Sequence, residues 1–119
     1  MKADKLVAVV DCGSTNVRAV VVDSNGVFTA QSSLPNRPSP QPGGMGWLIW
    51  NMSELWDRVR TVLRSVLSKV GKVDAVVVTT WGADGAPVKR NGELTYPPIC
   101  WQCPRTISIA EHLPSIMDP

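Results

Sequence analysis

The sequence has few of the features that direct a protein to a membrane, to the secretory pathway or to nucleic acid. Its 119 residues carry a net charge of only +2, and the longest basic cluster is Lys89-Arg90, whereas a nucleic-acid-binding arm needs a longer block. The apolar run from Leu6 to Val10 is too short for a signal-peptide core or a membrane span. Three cysteines leave one thiol unpaired, so a disulfide framework is not expected and a reducing cytoplasm fits better. We therefore expect a cytoplasmic protein with no nucleic-acid or membrane partner.

What the sequence does contain begins with β-branched runs. The composition, 44% hydrophobic and 18% charged, is that of a globular protein with one modest core. Leu6 to Val10 and Val17 to Val22 are typical of buried strands, and Val27 to Ser33 follows an Asn25-Gly26 pair that favours a type I′ turn. The opening therefore predicts an antiparallel meander of three strands.

A loop and a helix follow the meander. Residues 35–46 hold four prolines and three glycines, which predicts a long loop. Asn51 and Glu54 form a candidate capping box, and Gly71 is a C-terminal stop signal. The predicted helix has one apolar face at 3.6-residue spacing, made of Leu55, Trp56, Val59, Val62, Leu63, Val66, Leu67 and Val70.

The remaining elements are shorter. Val73 to Thr79 predicts a buried strand parallel to the first, because a helix connects the two. Residues 86–96 suggest a small hairpin with Asn91-Gly92 at its turn. A final helix is expected over Ile107 to Leu113, ending before Pro114.

The order of strand, strand, strand, helix, strand predicts an α/β fold. This order resembles the opening of the ribonuclease-H-like half-domain shared by actin-like ATPases and sugar kinases: a three-stranded antiparallel meander, then a helix and a parallel strand. We expect the half-domain to be incomplete in this sequence.

The segment Asp11-Cys12-Gly13-Ser14-Thr15-Asn16-Val17-Arg18 carries the clearest chemistry. Its aspartate ends a buried strand and a glycine follows, so the backbone can approach a ligand closely. Consecutive amides of this kind form an anion-binding concavity suited to phosphate oxygens, and a carboxylate beside phosphates can hold Mg²⁺ through water. The alternative is a plain hairpin in which Asp11 and Gly13 only make an Asx-type turn.

This segment resembles the first phosphate motif of the FGGY carbohydrate kinases, Asp-x-Gly-(Ser/Thr)-(Ser/Thr)-x-x-Arg. The resemblance continues through Gly46-Trp47, the capped helix, residues 79–85 (Thr-Thr-Trp-Gly-Ala-Asp-Gly) and residues 99–106 (Ile-Cys-Trp-Gln-Cys-Pro-Arg-Thr). It covers nearly the whole sequence but only a minor fraction of a family member. Residues 1–119 are therefore expected to be the N-terminal part of kinase domain I, with the rest of domain I and domain II outside it.

The resemblance implies a role for each matching residue. Asp11 would be the magnesium-proximal carboxylate, and the ATP phosphates would lie against Gly13, Ser14, Thr15 and Asn16. Arg18 would support the loop. Trp81, Gly82 and Asp84 would be sugar-binding positions, since they fall where the fuculose and rhamnulose kinases have sugar-contacting loop residues. Trp101 would be a fourth, since it matches a tryptophan that packs against the polyol in glycerol kinases.

Two of the sugar-binding assignments have structural alternatives. Trp101 offers an aromatic face that suits the C–H side of a sugar, but a tryptophan buried in the core would give the same sequence pattern. Asp84 could equally be a solvated turn residue before Gly85. Where glycerol kinases carry an Arg-Glu pair, this sequence has Gly82-Ala83, which implies a wider pocket and a ketose such as L-fuculose rather than glycerol.

Cys100 and Cys103 form a Cys-x-x-Cys pair, which invites a metal or redox interpretation. A zinc site takes four ligands, and only Cys12 and His112 remain to complete a set. A thioredoxin-type motif would open a helix directly after a strand. We interpret the pair as two ordinary thiols.

The family transfers the γ-phosphoryl of ATP, with Mg²⁺, to a sugar hydroxyl. No catalytic residue is expected in this sequence, because the proton-accepting carboxylate and the adenosine pocket normally come from later sequence. The chain alone is therefore expected to be inactive, with a small-molecule sugar as partner and homo-oligomer formation left open. Two alternatives remain: a ribonuclease-H-like nuclease using Asp11 and Asp84 to hold metals, and a non-catalytic remnant of a kinase.

Overall fold

The computed structural model of the chain describes residues 5–117. These residues form two compact units. The first unit comprises residues 5–37 and 52–82, and the second comprises residues 38–51 and 83–117. In chain order the elements are β1 (Leu6–Cys12), β2 (Asn16–Asp23), β3 (Phe28–Pro35), β4 (Ser39–Pro40), β5 (Leu48–Ile49), α1 (Met52–Val70), β6 (Ala75–Thr79), a 3₁₀ turn (Pro104–Thr106) and α2 (Ile107–Ile116).

The first unit is a four-stranded sheet with the order β3-β2-β1-β6. Strands β1, β2 and β3 pair antiparallel as a meander, and β6 lies parallel to β1. The sheet order differs from the chain order because α1 carries the chain from β3, at one edge of the sheet, across to β6 at the other. The predicted meander, helix and parallel strand are thus confirmed.

The core of the first unit lies between this sheet and α1. Alternate residues of β1 and β2 are buried on one face, as period-2 strands require, and α1 contributes three buried residues. The buried set is Ala8, Val10, Cys12, Val17, Ala19, Val21, Ala30, Leu55, Val62 and Val66. Trp56 was predicted to belong to the apolar face of the helix, and that prediction is wrong: it is 58% exposed, although Val59 and Leu63 on the same side of α1 pack against the core.

The turn between β2 and β3 differs from the predicted type I′ turn. Only Gly26 has a positive φ there (+81°), and no non-glycine residue among those described does, whereas type I′ needs two such residues. Asp23 Oδ1 accepts hydrogen bonds from the backbone N–H groups of Asn25 and Val27, and the register shifts between Val21 and Val22. The aspartate side chain therefore selects a bulged turn in which only the glycine adopts the left-handed conformation.

Helix α1 ends at Gly71, as predicted. Gly71 has φ +82°, and its N–H donates to the carbonyl of Leu67 (2.8 Å), which is the left-handed C-terminal cap that glycine favours.

Strand β6 forms where predicted but is not buried. All five of its residues are exposed, including Val76, Val77 and Val78 at 50%, 51% and 63%. Its position explains this, because β6 is the edge strand of the sheet and pairs only with β1 among the described residues.

The second unit is built from short pairings. Strand β4 pairs antiparallel with β5, and Ile49 of β5 bridges Ile99. The predicted hairpin is present as a Val88–Leu94 bridge with Gly92 at φ +88°. Helix α2 does not end before Pro114, as predicted, but includes it. This proline lies in the last turn of α2, with only two helical residues after it. Its missing N–H removes one backbone hydrogen bond from the helix.

Among residues 5–117, no helix combines the length and the apolar character that crossing a membrane requires.

Candidate functional site

The predicted phosphate loop follows β1, and the first predicted sugar loop follows β6. Because β1 and β6 are parallel, with Asp11 beside Thr79 in the register, both loops leave the carboxyl edge of the sheet. Ligands of open α/β sheets bind at this edge. The topology of the first unit therefore places the Asp11–Asn16 segment next to Trp81 and Gly82.

The loop after β1 is a tight turn held by backbone bonds. Gly13 N–H donates to the carbonyl of Asn16 (2.8 Å), and a Cβ built on Gly13 would lie 3.0 Å from that same oxygen. A side chain at position 13 would therefore push against main chain rather than against a movable side chain. Glycine is needed here for close packing of the turn, not for a positive φ.

Asn36 supports this turn from outside, and the sequence alone gave no indication of it. It is the buried polar residue of the described chain, 7% exposed. Its side-chain Nδ2 donates to the carbonyl of Gly13 (2.8 Å), and its backbone N–H donates to the carbonyl of Thr15 (2.8 Å). The only available signal was its place between two prolines, Pro35 and Pro38, where a lone buried amide is easily taken for loop.

Asp11 and Arg18 form an ion pair on the face of the sheet opposite α1. Arg18 Nη2 donates to Asp11 Oδ2 (3.3 Å), and the two residues are also register partners. They line an open concavity of about 370 Å³ together with Val9, Val20, Phe28, Gln31 and Thr79. The pair engages one carboxylate oxygen and agrees with a supporting role for Arg18.

Trp81 joins the two loops of the first unit. Its Nε1–H donates to Ser14 Oγ (3.1 Å), and its ring packs, partly buried, against the sheet–helix core. A predicted sugar-loop residue therefore touches a predicted phosphate-loop residue directly. Gly82 is exposed, and a Cβ built on it would meet no described atom within 4 Å.

Asp84 and Trp101 belong to the second unit. Asp84 Oδ2 accepts a hydrogen bond from Trp50 Nε1 (2.5 Å), and Asp84 Oδ1 is buried without a hydrogen-bond partner among the described residues. Asp84 is therefore not the solvated turn residue of the alternative interpretation. Trp101 is 57% exposed, so it is not a core tryptophan either. Trp50, the partner of Asp84, was missed by the sequence analysis.

The cysteines are free thiols in different environments. Burial raises the pKa of Cys12 and of Cys100, and the charges of Asp11 and Asp84 respectively add to this. Burial alone would also raise the pKa of Cys103, but hydrogen bonds from the Arg105 side chain and the Leu48 N–H outweigh it, so this pKa is lowered.

No group of three or more His, Cys, Asp or Glu side chains that could hold a metal occurs within residues 5–117. The Cys100–Cys103 pair is therefore not part of such a cluster. Asp11 lies in the first unit and Asp84 in the second, each with the separate partner described above.

Comparison with known proteins gives a consistent answer. The profile of the "FGGY family of carbohydrate kinases, N-terminal domain" matches residues 6–118. The L-fuculokinase of Salmonella typhi is 37% identical over 121 residues, which cover 100% of this chain and 25% of that protein. A glycerol kinase of Thermococcus gammatolerans is 29% identical over 92% of this chain and 23% of its own length.

Solved structures agree on the fold. The xylulose kinase of Rhodospirillum rubrum superposes with a TM-score of 0.80 at 22% identity, over 96% of this chain and 24% of that one. The predicted fold class, that of the actin-like ATPases and sugar kinases, is thus confirmed. The chain spans about a quarter of the length of the curated relatives it matches. With the profile match over residues 6–118, the identity to L-fuculokinase and the shared fold, this chain belongs to the FGGY family of carbohydrate kinases.

Proposed function

We propose that this chain supplies the first phosphate loop and part of the sugar site of an ATP-dependent kinase that phosphorylates a ketose hydroxyl. The observation that carries the proposal is the Trp81–Ser14 hydrogen bond of 3.1 Å. It joins the loop that resembles a phosphate motif to the loop that resembles a sugar-binding segment. A kinase needs this adjacency, because phosphoryl transfer depends on holding the donor phosphate and the acceptor hydroxyl next to each other.

The residues after β1 fit the phosphates of ATP. The turn at Gly13 leaves no room for a Cβ beside the Asn16 carbonyl, so the main chain is kept bare and compact where an anion would approach. Asn36 holds the carbonyls of Gly13 and Thr15, which turns these acceptors away from a phosphate. Ser14, Thr15 and Asn16 then provide amide and side-chain donors.

Asp11 fits Mg²⁺ as a single carboxylate beside phosphates. This ion commonly keeps several waters and takes one or two protein carboxylates, so a larger acidic cluster is not needed. When bound, Mg²⁺ neutralises charge that develops on the transferring phosphoryl group. Asp11 would hold the ion, and Arg18 keeps the carboxylate in place through its contact with Oδ2.

The sugar is proposed to be a ketose of about five or six carbons, with L-fuculose favoured, as the identity to L-fuculokinase supports. Gly82 adds no side chain, and the space around its Cβ position is open within 4 Å. Trp101 offers an exposed ring for the apolar face of a sugar. Asp84 offers a carboxylate oxygen for a hydroxyl.

The test is Asp11→Asn in the full-length kinase that carries this sequence. We expect kcat to fall about a hundredfold or more, because the lost charge acts on metal and phosphates in the transition state. Sugar affinity, measured by calorimetry without nucleotide, should stay nearly unchanged. A large loss of sugar binding would show that Asp11 belongs to the sugar site instead.

Arg18→Gln separates this role from the ion pair. It breaks the same Asp11–Arg18 contact but keeps the carboxylate, and an exposed pair contributes little by itself. A much smaller loss of kcat is expected. If both variants lose activity equally, Asp11 acts through the loop structure and not on the metal.

A further inference from the structure

The second unit pairs the buried indole of Trp50 with the half-buried carboxylate of Asp84, and the family resemblance singled out only Asp84. Trp50 is 2% exposed, and its Nε1–H donates to Asp84 Oδ2 at 2.5 Å. The other carboxylate oxygen, Asp84 Oδ1, is buried and has no hydrogen-bond partner within residues 5–117. One oxygen of the carboxylate thus accepts a hydrogen bond from the indole, and the other accepts none from the described residues.

The surrounding chain fixes the indole firmly. Trp50 N–H donates to the carbonyl of Pro98 (2.8 Å), and Cys100 N–H donates to the carbonyl of Leu48 (3.2 Å). Between these bonds, Ile49 bridges Ile99. The backbone of Trp50 is therefore held by its pairing with residues 98–100. Because the side chain is also buried, the ring has little freedom to change its position relative to Asp84.

No residue within 5–117 donates a hydrogen bond to Asp84 Oδ1. Cys100 is 1% exposed, and burial first, then the Asp84 charge, raise the pKa of its thiol. The Cys100 thiol is directed to Gln102 Oε1 (3.8 Å). A buried carboxylate oxygen without a donor is costly, so Oδ1 is a position that a ligand donor would satisfy.

We propose that Trp50 is a positioning residue for sugar recognition: it locks Asp84 Oδ2, so that Oδ1 accepts a hydrogen bond from one hydroxyl of the sugar. This inference rests on the proposed kinase function and names the group of the sugar site that selects its substrate. Because Oδ2 already accepts from the indole, Oδ1 is the oxygen through which Asp84 would accept from a sugar hydroxyl. The sugar must carry a hydroxyl at that carbon, and an analogue that lacks it leaves Oδ1 unpaired.

The experiment uses the full-length kinase and compares Trp50→Phe with wild type. This change keeps an aromatic ring but removes the N–H donor. We expect the KM for the sugar to rise about tenfold, with kcat within about twofold and the KM for ATP unchanged. Trp56→Phe is the matched control, because Trp56 is 58% exposed on α1 and its loss should alter neither KM.

Discrimination against deoxy analogues of the sugar is a second measurement. It would stay unchanged in the Trp50 variant if Trp50 had only a structural role. Wild type should discriminate against one monodeoxy analogue about tenfold or more, and Asp84→Asn and Trp50→Phe should each reduce that discrimination. The double variant should lose no more than the worse single variant, because both changes remove the same interaction. Additive losses, or unchanged discrimination in Trp50→Phe, would overturn the proposal, and would show that a water or another group satisfies Oδ1.

If Trp50→Phe does not fold, benzothienylalanine at position 50 replaces the N–H by sulfur in a ring of nearly the same shape. The same KM shift and the same loss of discrimination are then required, and their absence refutes the role of Trp50. Failure of the kinase function itself is distinguishable. In that case wild type phosphorylates no sugar in the panel, whereas a wrong assignment of Trp50 leaves an active kinase whose sugar preference ignores this residue.

Discussion

At the scale of single residues, Arg105 contacts four side chains of the second unit. Its Nε donates to Cys103 Sγ (3.1 Å), Nη1 to Tyr96 Oη (3.1 Å) and Nη2 to Gln41 Oε1 (2.5 Å). Its guanidinium also lies over the Trp47 ring, 4.4 Å from the centroid. Lysine could not replace these contacts, because they need a planar fork with several donors.

The Arg105 contact sets Cys103 apart from the other two thiols. We predict that thiolate absorbance near 240 nm, followed against pH in the 119-residue chain, shows an early step that Cys103→Ser removes. Cys100→Ser, the matched control, should keep this step, since burial raises the pKa of Cys100 while the donors on Cys103 lower its pKa. An early step that survives Cys103→Ser would contradict the assignment.

Replacing Cys100 or Cys103 by serine is expected to cause no loss of bound metal, because a zinc site takes four ligands. Elemental analysis of the purified protein for zinc measures this.

Gly82 is the residue on which we expect the size of the accepted sugar to depend. We predict that Gly82→Arg in the full-length kinase lowers ketose turnover about tenfold or more, because a long side chain would fill space that is open in the structure. Its φ is not in the left-handed range, so the backbone should accept the change. A panel of ketoses and polyols with wild type and variant checks this. Glycerol as the best wild-type substrate, or unchanged ketose turnover in the variant, would refute the pocket assignment.

At the scale of elements, the sequence predicted what short-range chemistry determines. The strands β1 to β3, the helix α1 and its stop at Gly71 follow from β-branched runs, apolar periodicity and a capping glycine, and all are observed. The errors involve information from further away. The turn type depended on the Asp23 side chain, and the exposure of β6 on its place at the sheet edge.

The candidate site shows the same division. The Asp11–Asn16 segment could be predicted because the ligand-binding chemistry lies in consecutive residues. Two contacts of the site join residues that are 21 to 34 positions apart in the sequence. They are the contact of Asn36 with Gly13 and Thr15 and the contact of Trp50 with Asp84. No local pattern marks such partners, because their meaning arises only when the fold brings them together.

Asp74 ties the beginning of β6 to the beginning of β1. Its carboxylate accepts hydrogen bonds from Lys5 Nζ (2.7 Å) and from the Leu6 N–H (2.9 Å), and its own N–H donates to the Leu6 carbonyl (2.8 Å). The hydrogen bond from Lys5, and then that from Leu6, lower the pKa of Asp74 below its ordinary value. A depressed pKa means that the contact stabilises the fold above the ordinary carboxylate pKa of about 3.9. This stabilisation is lost as the pH falls through the lower folded value.

We therefore predict that Asp74→Asn lowers the urea midpoint of the 119-residue chain at pH 7, and that the difference from wild type shrinks as the pH falls below about 4. Circular dichroism during urea titration at each pH measures it. Asp57→Asn is the control, since Asp57 pairs only within α1, with Arg60, and joins no two strands. A difference that persists at pH 2 would mean that the asparagine harms packing rather than removing a charge.

At the scale of the whole molecule, the relevant fact is that the chain corresponds to about a quarter of its curated relatives. Its first unit holds the predicted phosphate loop, and its second unit holds Asp84 and Trp101. The exposed valines of β6 form an apolar edge of a kind that proteins usually cover or pair. Under the proposed function, the described residues would contribute binding elements of a kinase, and the group that accepts a proton from the sugar hydroxyl would come from elsewhere.

The 119-residue chain is expected to be inactive by itself. The 119-residue chain alone should show no sugar-dependent ATP turnover, because transfer needs a carboxylate to accept the hydroxyl proton and a site for adenosine, and the family resemblance assigns both to later sequence. Coupled detection of ADP, with and without L-fuculose, measures it, and the full-length kinase under the same conditions is the positive control. Any sugar-dependent ADP formation by the chain that Asp11→Asn abolishes would show that the chain is a complete catalyst. Such a result would require Asp84, the carboxylate with a buried unpartnered oxygen, to be reconsidered as the proton acceptor.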